Sequence, residues 1–223
     1  MTRGVTTGVR LVLARHGRST ANAAHVLDSR PPGAPLDDEG RTQAQRLAAR
    51  LADWPLRKVY ASHAPRAQQT AAPVAAAHGL AVQVVDDVHE VSLGDLEGRS
   101  DTDALAVFDE VWTAWWRGDL AARMPGGESA LEVRTRFLPA LDTLVDGVSD
   151  GDVLLVSHGA AIRMAAGALL GETVETFYVP NAGLVVLRRD RQGWVLESWD
   201  RAEAVAGDVT GGGAPEWPGP DQS

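Results

Sequence analysis

Residues 10–17 read Arg10-Leu11-Val12-Leu13-Ala14-Arg15-His16-Gly17. The apolar run is continuous and stops abruptly at a charged, Gly-containing turn, which predicts a short buried strand. A second stretch, Asp152-Val153-Leu154-Leu155-Val156-Ser157-His158-Gly159, has the same form. Each strand therefore delivers a histidine and a glycine where the chain turns toward a helix or loop. In open parallel sheets that edge is where ligands bind.

Working outward, a loop rich in Pro, Gly and Asn follows the first strand to about Leu36. Asp37 can cap a helix whose apolar residues Ala44, Leu47, Ala48 and Leu51 fall at helical spacing, with Pro55 beyond its end. Lys58 to Ala61 is the next strand. Pro65 to His78 is helical in composition, and Pro73 is expected to bend or interrupt it. Val82 to Val85 forms a third strand, and this alternation marks βαβ units and a parallel sheet. Residues 101–120 predict a helix with Leu105, Phe108, Trp112, Trp115 and Trp116 on a broad apolar face, an aromatic spacing that reads as core or interface. A second helix runs from about Ser129 to Val145, after the break at Pro125-Gly126-Gly127, with Leu131, Phe137, Leu138, Leu141 and Leu144 as its core positions. Both lie mid-chain, where a cap over a site could be inserted. After the fourth strand, Asp152 to Ser157, come a helix from Ala160 to Leu170 ended by Gly171 and an antiparallel hairpin pairing 184–189 with 194–199. Residues 1–206 are read as one domain with a cap segment at about 95–128, and the Gly- and Pro-rich stretch 207–223 as a disordered tail.

Composition limits the function. The 223 residues are 44% hydrophobic and 23% charged, an ordinary globular balance. With no cysteine, disulfide frameworks, iron–sulfur and cysteine–zinc sites and cysteine nucleophiles are excluded, which fits a reducing cytoplasm. The apolar runs are too short to span a membrane. A formal charge of −9 repels nucleic acid and anionic membranes, so neither is expected as a partner. All basic residues but Lys58 are arginines. An anionic ligand therefore needs a local arginine cluster inside an acidic molecule. The six scattered histidines lack ligand spacing, so no metal and no cofactor is expected.

The motifs around the two His-Gly turns resemble those of the histidine phosphatase superfamily, also called the phosphoglycerate mutase-like family. Arg15-His16-Gly17-Arg18-Ser19-Thr20-Ala21-Asn22 matches its extended signature; Leu36, Gly40, Gln43 and Ala44 match its first helix, and Ser62, Arg66, Ala67, Gln69 and Thr70 its second. Glu90 with Gly94 and Glu97-Gly98, then Pro125-Gly126-Gly127-Glu128-Ser129, then Ser157-His158-Gly159 follow in the family's order. The resemblance covers roughly residues 10–200 and implies a three-layer α/β/α fold with a mostly parallel central sheet and a small helical cap. It implies that His16 attacks phosphorus and becomes a transient phosphohistidine. Arg15 and Arg66 would clamp the phosphoryl oxygens, His158, protonated with phosphate bound, would add a donor, and Glu90 would serve as general acid and then base. Asn22, Arg18, Ser19 and Gly159 are the expected substrate-binding residues. Phosphoryl transfer needs just such a nucleophile, cations on the equatorial oxygens and a proton donor to the leaving oxygen.

The sequence also departs from the family. Arg18 replaces the usual Glu or Gln after Arg-His-Gly, adding a positive charge near the pocket mouth. The cofactor-dependent phosphoglycerate mutases grip their substrate carboxylate with a Tyr three residues after the catalytic Glu, a Lys beyond it and a paired Arg. Here Leu93 stands at the first position, no lysine follows Lys58, and 101–125 offers only Arg117 and Arg123. The expectation is a metal-independent phosphomonoesterase acting on a small phosphate ester. Phosphoglycerate mutase is the rival enzyme, a phosphate-ligand sensor without turnover the rival from another class, and a homodimer is left open.

Overall fold

Alternation along the central strands decides the layering. In β1 (Val9–Arg15), Leu11 and Leu13 join one apolar cluster and Val12 and Ala14 another, all four fully buried. The same split recurs in β4 (Gly151–Ser157), with Val153 and Leu155 against Leu154 and Val156, and in β5 (Leu184–Asp190), with Val185 and Leu187 against Leu184 and Val186. Side chains at period two point to opposite faces, so a sheet with both faces apolar must be covered twice. Helices α2 (Asp38–Leu51) and α3 (Pro65–Ala77) cover one face; α4 (Thr102–Trp116), α5 (Ala130–Val145) and α6 (Gly159–Leu170) pack in the cluster on the other. The computed structural model describes residues 8–171 and 176–201, so the stretch read as a tail, 207–223, lies outside the described residues.

With β2 (Leu56–Ala61), β3 (Val82–Val84) and β6 (Gly193–Trp199), the six strands are ordered β3-β2-β4-β1-β5-β6. The first four are mutually parallel, and the β5–β6 hairpin adds on antiparallel beside β1. Register between β1 and β4 pairs Arg10 with Asp152 and Arg15 with Ser157. Arg10 also grips the buried Asp152 carboxylate through Nε at 2.6 Å and Nη2 at 2.5 Å. That bidentate pair ties the two strands at the end opposite the histidines.

Four local expectations need correction, the first being that Leu131, expected in the core of α5, is 48% exposed, since it lies on the helix face turned from the buried Val133, Phe137 and Leu141. Helix α3 passes through Pro73 without a break. Proline removes one backbone bond there, while Ala67, Ala71, Val74 and Ala75 stay buried against the sheet. The predicted loop after His16 contains a short helix, α1 (Thr20–Ala23), fixed by a reciprocal capping box between Ser19 and Asn22. Helix α4 stops at Trp116 and not near 120, where Arg117 caps it and Gly118 takes φ +94°. Among the described residues no helix is long and apolar enough to cross a membrane.

Candidate active site

From β1 the chain crosses to β2 through α2 on one face of the sheet, whereas from β4 it crosses through α6 on the other. The carboxyl ends of β1 and β4 are thus a topological switch point, where diverging connections leave a crevice. A cavity of about 60 Å³ lies there. Arg15, His16, Ser19, Asn22, Asp28, Arg66 and Glu90 line its polar side; Leu27, Val91, Leu93, Phe108, Trp112 and Trp115 line its apolar side. A water needs roughly 10–15 Å³ of such space, so the cavity admits several water-sized groups, a phosphoryl and the first atoms of the alcohol it esterifies.

His16 is buried, with its Nδ1 2.7 Å from the Gly17 carbonyl oxygen. A carbonyl only accepts, so Nδ1 carries the proton and Nε2 keeps its lone pair. Arg66 Nε donates to that lone pair at 3.2 Å. Burial first, then the charges of Arg66 and Arg15, push the His16 pKa well below 6.5 and hold the ring neutral. The turn carrying it is fixed by close backbone approach. A Cβ on Gly40 would stand 2.0 Å from the Arg18 carbonyl oxygen, and one on Gly17 2.6 Å from that of Gly40. The Gly17 amide also donates to Thr70 Oγ1 at 2.9 Å, tying the turn to α3.

Arg66, second residue of α3, is buried and directs its remaining nitrogens at Asp28 Oδ2 (3.1 Å), the Asp28 carbonyl (3.2 Å) and His158 Nδ1 (3.4 Å). Since the guanidinium must donate, Nδ1 of His158 accepts, and its Nε2–H donates to Ser62 Oγ at 2.7 Å. Burial, with Arg66 next in importance, likewise drives the His158 pKa well below 6.5. The two imidazoles meet edge to face, 5.1 Å between centroids. Arg15 Nη1 donates to the Tyr178 hydroxyl (2.5 Å) and the Val179 carbonyl (3.0 Å), while its buried Nε has no partner among the described residues. A cationic donor left open beside a neutral imidazole suits an oxyanion.

Glu90 sits at the start of α6, where its Oε1 accepts from the amides of Val91 (2.9 Å) and Ala161 (3.0 Å) and its Oε2 from Ala160 (3.2 Å). Its loop is stapled from α5: Arg136 donates to the carbonyls of Asp87 (2.8 Å), His89 (2.9 Å) and Glu90 (3.0 Å) and pairs with Glu128 at 2.8 Å. Glu128 in turn accepts from the Ser92 amide at 2.9 Å. The Pro-Gly-Gly-Glu-Ser block thus acts on the site through this carboxylate, while Ser129 caps α5.

The sequence-expected residues do not all meet in the cavity. Arg18 is turned away, its Nε 2.7 Å from Asp37 Oδ2, and it does not line the cavity; an N-cap aspartate one helix away outcompetes the pocket for its charge. His158 does not line it but contacts Arg66 and His16, and Gly159 does not line it either. A Cβ there would come 3.3 Å from Arg15 Nε, so its part is to leave room for that guanidinium. Ser19 and Asn22 line the wall but spend polar atoms capping each other, and Asn22 Oδ1 also accepts from Asn181 at 3.5 Å. His63 pairs with exposed Asp86 outside the lining. Asp28, Tyr178, Asn181 and Arg136 were not anticipated; they come from distant loops or a helix surface, with no spacing signal to mark them. Among the described residues no three His, Asp or Glu side chains gather as metal ligands.

Comparison with known proteins shows the family. The sequence profile of the histidine phosphatase superfamily (branch 1) matches residues 11–202. "Probable phosphoglycerate mutase GpmB" of Erwinia tasmaniensis is 29% identical over 206 residues, 91% of this chain and 94% of that protein. The solved structure of a mycobacterial glucosyl-3-phosphoglycerate phosphatase superposes with a TM-score of 0.73 at 28% identity, covering 86% of this chain and 99% of the other. Another, described as mycobacterial hydrolase 1, gives a TM-score of 0.76 at 28% identity, over 87% and 99% of the two chains. With that profile spanning nearly the whole described chain, the protein belongs to the histidine phosphatase superfamily.

Proposed function

We propose that the chain is a metal-independent phosphomonoesterase that hydrolyses a small phosphate ester through a phosphohistidine at His16. The observation that carries this reading is the neutral His16 ring on the cavity wall, its Nδ1 proton held by Gly17 and its unprotonated Nε2 accepting from Arg66 Nε, a guanidinium contact that an incoming phosphoryl oxygen takes over as Nε2 turns to phosphorus. In the first step Nε2 forms a bond to phosphorus as the ester P–O bond breaks, and the departing alkoxide takes a proton from Glu90. In the second, Glu90 takes a proton from water as it attacks phosphorus; the N–P bond breaks, returning neutral His16 and releasing inorganic phosphate. Arg15 and Arg66 stabilise the charge on the equatorial oxygens throughout, and the phosphate dianion favours a proton on His158.

Relatives carry both phosphatase and mutase names, and hydrolysis is favoured here by one feature. Arg15 and Arg66 are the cations lining the cavity among the described residues, and both face the phosphoryl end. Leu93 occupies the wall, Arg123 pairs with Glu132 at 2.6 Å, and Arg117 belongs to a separate groove on α4. A phosphoglycerate carboxylate held for retransfer would meet Asp28 and Glu90 instead of a cation. The test is phosphate release from small esters in EDTA beside interconversion of 2- and 3-phosphoglycerate with bisphosphate primer. Release without interconversion is expected. Interconversion faster than release would make the chain a mutase, and tight ester binding without product would make it a sensor.

A further inference from the structure

Resting on the phosphatase reading, we infer that α4 supplies the specificity wall for the leaving group, and that the preferred substrate is a phosphate monoester of an uncharged alcohol with a flat apolar body. Three residues of α4, Phe108, Trp112 and Trp115, line the same cavity as His16 and Glu90. Phe108 and Trp112 stack at 5.6 Å with planes only 19° apart, and Trp115 tilts against Trp112 at 5.8 Å. Leu27, Val91 and Leu93 complete this side, so past the phosphoryl group a substrate meets carbon.

Charge supports the same conclusion. The acidic lining residues are Asp28, which pairs with Arg66 at 3.1 Å, and Glu90, so neither offers a positive charge to a second anionic group on the alcohol. Arg163 lies over Trp116 at 3.6 Å, donates to Thr176, and does not line the cavity. Trp115 Nε1 is satisfied by the Ala122 carbonyl at 2.7 Å, whereas Trp112 Nε1 is buried with no partner among the described residues. Among the described residues the aromatic wall therefore supplies no cation to neutralise a carboxylate.

Phosphate release by the full chain from benzyl phosphate, glycerol 3-phosphate and 3-phosphoglycerate tests the inference, the first two departing as alkoxides of similar basicity. Benzyl phosphate is expected to have the highest kcat/KM, at least about tenfold above glycerol 3-phosphate, with 3-phosphoglycerate the poorest. In Trp112→Leu, and independently in Phe108→Leu should the first not fold, the benzyl-to-glycerol ratio is expected to fall by about tenfold, mostly through KM. Phosphate release with glycerol 3-phosphate or 3-phosphoglycerate equal to or better than benzyl phosphate would overturn the inference and leave the phosphatase reading standing. A ratio unchanged in both folded variants would do the same. No release from any of the three would overturn the phosphatase reading, and the inference with it.

Discussion

At the scale of single residues, the site is built around two histidines kept neutral by burial and by adjacent guanidinium charge. His16→Ala is expected to lower kcat by about 10⁴-fold or more with an unchanged far-ultraviolet spectrum, because the side chain serves the pocket from a turn; substantial turnover by a folded variant would remove it as nucleophile. The same depressed pKa values set a stability window. A folded pKa below the unfolded value of about 6.5 means that the unfolded chain binds more protons as pH falls, so the contribution is full above about pH 6.5 and is lost on acidification toward the folded value. The melting temperature should drop between pH 7 and pH 5, and drop less in a His16→Asn, His158→Asn double variant. An equal drop would mean that other groups carry the acid sensitivity. Arg15, His16, Arg66, Glu90 and His158 were legible because each sits in a local motif at a strand or helix end. Asp28 and Tyr178 were not: Asp28 bonds Arg66 from a loop 38 positions away, and Tyr178 bonds Arg15 across 163.

At the scale of elements, caps and periodicity made α2 and α5 readable, while the loop holding Glu90 depends on a helix surface that sequence spacing does not mark. Arg136 on α5 binds three carbonyls of that loop. Arg136→Ala is expected to lower kcat about 10- to 100-fold with KM little changed, and Arg136→Lys to restore only part because a single ammonium cannot serve several carbonyls and Glu128 together. A loss in stability with an unchanged kcat would restrict Arg136 to holding the fold. Arg10 tests the strand pairing. Its partner Asp152 is 1% exposed, so Arg10→Met strands a buried carboxylate and should cost about 3–5 kcal/mol in denaturant unfolding. A cost below about 1 kcal/mol would mean that water or a rearranged neighbour satisfies Asp152.

For the whole molecule, the α/β class and the terminal hairpin followed from alternating helix and strand patterns, but the strand order did not. Placing β4 between β2 and β1 brings Ser62, His158 and His16 side by side, and that adjacency comes from non-local pairing that no local window encodes. The Trp-rich face of α4 was legible as core, which it is; that one edge of it also closes the cavity emerges only when α4 packs over the sheet. These separate pieces serve one chemistry only if His16 carries the phosphoryl group between ester and water. The direct measurement is an alkaline quench of the chain turning over a ³²P-labelled ester, followed by peptide mapping, since a phosphohistidine survives base and is lost in acid. The expected result is up to one base-stable, acid-labile phosphate per chain on the peptide containing His16, formed equally in EDTA and absent in His16→Ala. An unlabelled chain during fast turnover, or label on any other residue, would contradict a His16 nucleophile.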